Sequence, residues 1–116
     1  MSERIDWVGI MVSLDVPTST TYYYGLEVGP AFRVPDVVAI ARRFGARLSP
    51  EAIAKALDDL VDVSVLTREG DLYTVTPGAA EHTAWAAYHG CDDEGWEAVP
   101  QWLKAIVESD GEVSDE

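Results

Sequence analysis

His82, His89, Cys91 and Asp92 fall within eleven residues, and their side-chain types suit zinc coordination or a thiol nucleophile served by an imidazole base. Their spacing argues against both. Structural zinc sites draw on ligand pairs at short spacing, such as Cys-x2-Cys or His-x3-His, whereas His82 and His89 are seven apart, too far for one helix to bring both rings to one ion. A Cys-His nucleophile pair would also need an orienting carboxylate and an oxyanion site, an arrangement that nothing in the sequence suggests. The neighbouring carboxylates Asp58-Asp59 and Asp92-Asp93 point in different directions on a helix instead of facing each other across a substrate. Neither a Gly-x-Gly-x-x-Gly nor a phosphate-loop motif occurs. The expectation is a protein with no catalytic residue, no metal site and no cofactor.

The remaining chemistry is recognition. Arg42, Arg43, Arg47, Lys55 and Arg68 are the cations placed to touch phosphate, and the simpler reading of the three clustered arginines is that they face solvent and pair with nearby acids. Opposite in sign stand Glu51, Asp58, Asp59 and Asp62, an acidic interaction face. Four tryptophans and the run Tyr22-Tyr23-Tyr24 are many large aromatics for a small domain, and such residues dominate both cores and interface hot spots. Two are singled out as contact candidates. Trp102 falls off the apolar face of its helix, and Tyr23 stands in a run of which at least one member must be exposed if it is a strand.

Local signals place these residues on elements. Val37, Ile40, Ala41 and Phe44 recur at helical spacing after Pro35, and Gly45 supplies a left-handed stop. Ser49 caps a second helix with Pro50 in its first turn and Ile53, Ala54, Leu57, Leu60 and Val61 facing inward. Two β-prone runs, Ser64 to Thr67 and Leu72 to Thr76, flank Arg68-Glu69-Gly70-Asp71 and read as a hairpin. Thr76-Pro77 starts a helix to His89 that ends at Gly90. Asp92-Asp93-Glu94 opens a last helix in which Trp96, Val99, Leu103 and Ile106 share a face, with a break at Val99 or a kink at Pro100. Ser109 to Glu116 has little to bury, so residues 1–109 form the single domain and 110–116 a flexible acidic tail. The first 34 residues carry two readings: an amphipathic helix over Ser2 to Leu14, or a hairpin over Trp7 to Val28 in which the β-branched and aromatic run from Thr20 is a strand.

The chain has 116 residues, 21 acidic against 8 basic, for a net charge of −13. Up to Gly90 there are 12 acids and 7 bases, while from Cys91 onward 9 acids face Lys104 alone, so the last quarter carries most of the excess. Charge of this sign opposes binding to nucleic acid and to anionic membranes, because phosphate affinity comes from cations that displace counterions. With two lysines among eight cations, the composition fits a GC-rich genome or adaptation to high salt. One lone cysteine excludes an intrachain disulfide. No apolar run approaches a membrane span, and Met1 to Asp15 lacks the basic start and cleavage site of a secretory signal, so a cytoplasmic protein is expected.

The order extended piece, helix, turn, helix, hairpin, helix over Ala31 to His89 resembles the winged helix-turn-helix domains of transcription regulators. Val37 to Phe44 matches the supporting helix, Ser49 to Val61 the recognition position, and Val65 to Pro77 the wing. The resemblance implies an α+β, mainly helical domain with a β-hairpin wing and an extra C-terminal helix. It also implies DNA binding through the second helix and wing, and there the chain departs from the pattern. A helix that enters a major groove presents Arg, Lys, Asn, Gln or Ser, whereas this one sets four acids against Lys55. The leading expectation is therefore a small regulatory protein acting mainly through a protein partner in transcription control, with DNA contact secondary and a homodimer compatible. The alternatives are an acidic nucleic-acid mimic that occupies a basic partner, and a DNA-binding regulator from a salt-adapted cell.

Overall fold

The computed structural model of the chain describes residues 6–90 and 92–114, with side chains as far as Ser109. Asp6 and Asp15 each cap a helix, accepting the backbone N–H of Gly9 at 3.0 Å and of Thr18 at 2.9 Å. These caps start α1 (Trp7–Ser13) and α2 (Val16–Val28), the latter with Pro17 in its first turn. The hairpin over Trp7 to Val28 is therefore not formed. The helix reading holds for the first segment with its start at Trp7, while Ser2 and Ile5 lie outside the described residues.

Why α2 is helical despite its β-prone composition follows from what it covers. Thr18, Thr21, Tyr22, Gly25 and Leu26 are buried at spacings of three and four, and the face packs against α3 (Val34–Arg43) and α4 (Pro50–Asp62). Thr21 satisfies its hydroxyl within the helix, donating to the Pro17 carbonyl at 2.7 Å. Gly25 lets the Phe32 ring lie directly on the helix backbone, since a Cβ there would stand 2.6 Å from Phe32 Cζ.

Three short strands, β1 (Ala31–Phe32), β2 (Leu66–Glu69) and β3 (Leu72–Val75), form an antiparallel sheet in the order β1-β3-β2. Phe32 pairs with Tyr73 and Leu66 with Val75, so β3 lies between the others. Helix α5 (Pro77–Gly90) follows. The chain then breaks at Val99-Pro100, between α6 (Asp93–Ala98) and α7 (Gln101–Ser114). The sequence α2, β1, α3, α4, β2, β3 with this sheet is a winged-helix-like α+β arrangement, which takes in α2 as well as the segment from Ala31. No described helix is long and apolar enough to cross a membrane.

Several sequence expectations change. Phe44 is 59% exposed and stacks on Tyr24, because it is the C-cap of α3 and lies past the last buried turn. In α4 the buried set is Ile53, Ala56, Leu57 and Leu60, with Ala54 and Val61 only half-buried at the edge of that face. Trp96 is half-buried against Tyr88, ring centroids 5.3 Å apart, so it closes the end of α5 and does not reach the center of the core. The α7 backbone remains helical to Ser114, where no proline follows Pro100 to interrupt it; Asp115 and Glu116 lie outside the described residues.

Candidate interaction surface

Ser49 places α4. Its hydroxyl oxygen accepts the Ala52 N–H at 3.1 Å, and the buried side of the helix then fixes which residues face outward. Glu51, Lys55, Asp58, Asp59 and Asp62 lie off the buried face, with Asp58 beside the hairpin of β2 and β3 and Lys55 and Asp59 beside the start of α2.

The charges on this surface are largely spent on one another. Lys55 Nζ donates to Asp59 Oδ2 at 2.9 Å, one helical turn away. This bond, and then the charge of Asp59, raises the Lys55 pKa above its ordinary value. Arg68, from the wing, donates through Nη1 to Asp58 Oδ1 at 2.8 Å and through Nε to the Gly70 carbonyl at 2.8 Å. The same Asp58 oxygen accepts the Tyr73 hydroxyl at 2.8 Å, and the Arg68 guanidinium lies 5.2 Å from the center of the Tyr73 ring. Desolvation, followed by the Asp58 contact, raises the Tyr73 phenol pKa. Asp58 thus fastens the wing to α4, and Tyr73 is a member of the cluster that sequence reasoning assigned only to packing. The sequence reading places Arg68 and Glu69 in the turn, whereas both lie on β2, and the resulting register sets Arg68 opposite Tyr73.

Across the wing tip, Arg33 Nε reaches Asp71 at 3.2 Å. Arg42, Arg43 and Arg47 behave differently. All three are exposed, and none makes an ion pair or a side-chain hydrogen bond with the described residues, contrary to the expectation that they pair with nearby acids. The α3 terminus explains their grouping. Gly45, at φ 77°, closes a turn in which the Gly45 N–H donates to Arg42 O at 3.0 Å and the Ala46 N–H to Ala41 O at 2.9 Å. The arginines flank this turn, and Arg42 shares a hollow with Pro50 at the start of α4.

The two aromatic candidates separate. Tyr23 is 55% exposed, its ring 5.6 Å from that of buried Tyr22, and edges a hollow of about 300 Å³ lined by Met11, His82 and Ala86. Trp102 is not an exposed anchor. Its indole N–H donates to Leu26 O at 2.9 Å, satisfying one of the last carbonyls of α2, and the ring is half-buried.

His82 is half-buried, and His89 stacks on Trp85 with centroids 5.7 Å apart. Cys91 lies outside the described residues, among which no group of three His, Cys, Asp or Glu side chains is arranged to hold a metal ion. Compared with family models, curated proteins and solved structures, the chain gives no match.

Proposed function

We propose that this chain is a small regulatory protein of winged-helix type that works mainly by binding another protein, in transcription control. The observation that carries this reading is the internal use of the cations at the recognition position: Lys55 is held by Asp59 and Arg68 by Asp58. A surface that reads DNA needs those cations for phosphate and its polar side chains for base edges. Here the outer side of α4 adds only Glu51 and Asp62, which repel phosphate. The nucleic-acid-mimic reading loses support from the same pairs, because two of the four carboxylates on α4 are already engaged within the chain.

Arg42, Arg43 and Arg47 favor one secondary reading, a DNA contact beside α4, of the kind a salt-adapted regulator would make. Titration of the purified protein with duplex DNA at low and near-physiological salt tests both. No binding at low salt is the expected result. Tight binding that weakens steeply with salt and is lost on Lys55→Ala with Arg68→Ala would overturn the protein-partner reading, and binding lost instead on Arg42→Ala with Arg43→Ala would favor the secondary one.

A further inference from the structure

Among the described residues, Arg33, Lys55 and Arg68 are each paired with a carboxylate, and Lys104 donates to the Glu97 carbonyl. Arg42, Arg43 and Arg47 stand together without such a partner, on a chain of net charge −13. The negative end of the α3 dipole amounts to about half a charge, so it offsets only a small part of these three cations. A cationic island on an otherwise acidic surface marks the place where an anionic group is received.

What lies beside the island narrows the occupant. Along α3, the series Val34, Val38, Arg42 and the series Pro35, Ala39, Arg43 repeat every fourth residue, so two parallel ridges run from apolar to cationic over about 12 Å. Pro50, at the start of α4, closes the far side of a hollow of about 310 Å³ lined by Val34, Pro35, Val38, Ala39 and Arg42. Phosphate offers nothing to the apolar half of this strip. Duplex DNA also brings one charge per ~1.7 Å toward a strongly acidic protein, whereas a peptide needs only a few carboxylates at one end of its contact.

We propose that the α3 strip from Pro35 to Arg43, with Arg47, docks an acidic amphipathic segment of the partner protein, its apolar side chains in the Val34–Pro50 hollow and its carboxylates on the arginines. This rests on the protein-partner reading above and names the chemistry of that partner. The contact lies on α3 and on Pro50 at the start of α4.

The test uses fluorescence anisotropy with the full chain and three labeled probes. The first is a peptide of about 14 residues, four turns if helical, with Leu at every fourth position, Ala and Gln between, and three Glu at one end; the second has Ser for each Leu; the third is duplex DNA. Expected are binding of the Leu/Glu peptide, at least about tenfold weaker binding of the Ser/Glu peptide, and an approximately tenfold loss on Arg42→Glu with Arg43→Glu. Arg42→Gln with Arg43→Gln, checked for an unchanged circular dichroism spectrum, gives an intermediate loss, and Glu51→Gln with Asp62→Asn gives none. Absence of peptide binding, equal binding of the two peptides, or indifference to the arginine variants overturns the inference. If duplex DNA also fails to bind, the protein-partner reading survives that result. If duplex DNA binds and is lost on Arg42→Glu with Arg43→Glu, the island takes phosphate and this inference falls alone; if duplex DNA binds and is lost instead on Lys55→Ala with Arg68→Ala, the protein-partner reading falls and this inference with it.

Discussion

Replacing Asp58 with Ala removes two contacts made by one oxygen, since Oδ1 accepts both the Tyr73 hydroxyl and the Arg68 guanidinium at 2.8 Å. A hydrogen bond to a charged group contributes about 1.5–3 kcal/mol, and the half-exposed position of Asp58 places this one near the lower end. The ion pair, half-exposed on both sides, adds about 0.5 kcal/mol. Alanine within a helix regains about 0.6 kcal/mol of intrinsic propensity, which leaves a net loss of about 1.5 kcal/mol. Asp59→Ala loses only the exposed pair with Lys55, about 0.4 kcal/mol, and the same propensity gain cancels it. Urea unfolding at neutral pH, followed by circular dichroism, separates the two variants. Asp58→Ala should lower stability by about 1.5 kcal/mol, Asp59→Ala should stay within about 0.5 kcal/mol of the parent, and a cycle with Tyr73→Phe should return about 1 kcal/mol of coupling. Equal losses at the two positions, or a coupling near zero, would refute the claim that Asp58 fastens the wing. The argument that Arg68 is withheld from phosphate would go with it.

Burial pushes the Tyr22 phenol up to about 12 from an ordinary value of 10.0, with the Thr83 hydrogen bond opposing. Because the folded-state value is the higher one, this contribution is fully present below pH 10 and is lost as the pH rises toward 12, about 2–3 kcal/mol in all. Tyr22→Phe should flatten the alkaline fall in the urea midpoint, and an unchanged fall would assign it to other groups. Gly25→Ala places a methyl 2.6 Å from Phe32 Cζ, and even after the helix-propensity gain a loss of about 1–2 kcal/mol is expected in thermal unfolding. A rise in the melting temperature would mean that Phe32 moves aside freely. Trp102→Phe leaves Leu26 O without its donor and should cost about 1 kcal/mol while leaving peptide binding at the α3 strip unchanged. A loss of peptide binding there would place Trp102 in the docking site after all.

The legible parts of the fold are those whose signals act within a turn. Ser49-Pro50 marks the start of α4, Gly45 the end of α3, Gly70 the wing tip, and Val99-Pro100 the last break. Each works through a cap, a fixed φ or a missing N–H, all of which operate over a few neighboring residues. The failure at the N-terminal segment has a physical cause of the same kind in reverse. Asp15 and Pro17 serve as cap and first-turn residue of α2, and the β propensity of the tyrosine run is outweighed by burial against α3 and α4.

For the interaction surface, the amino-acid sequence by itself determined the sign of the charge, its concentration toward the C-terminus, and the presence of acids at the recognition position. Only the tertiary structure decided which of those charges remain available. Asp58 meets Tyr73 and Arg68 across fifteen and ten residues, Tyr22 meets Thr83 across sixty-one, and Trp102 meets Leu26 across seventy-six. Contacts at such separations depend on how whole elements pack, which no local pattern encodes. The same packing leaves Arg42, Arg43 and Arg47 exposed and outside every ion pair among the described residues, which their nearness in sequence to Asp36 and Glu51 does not foretell.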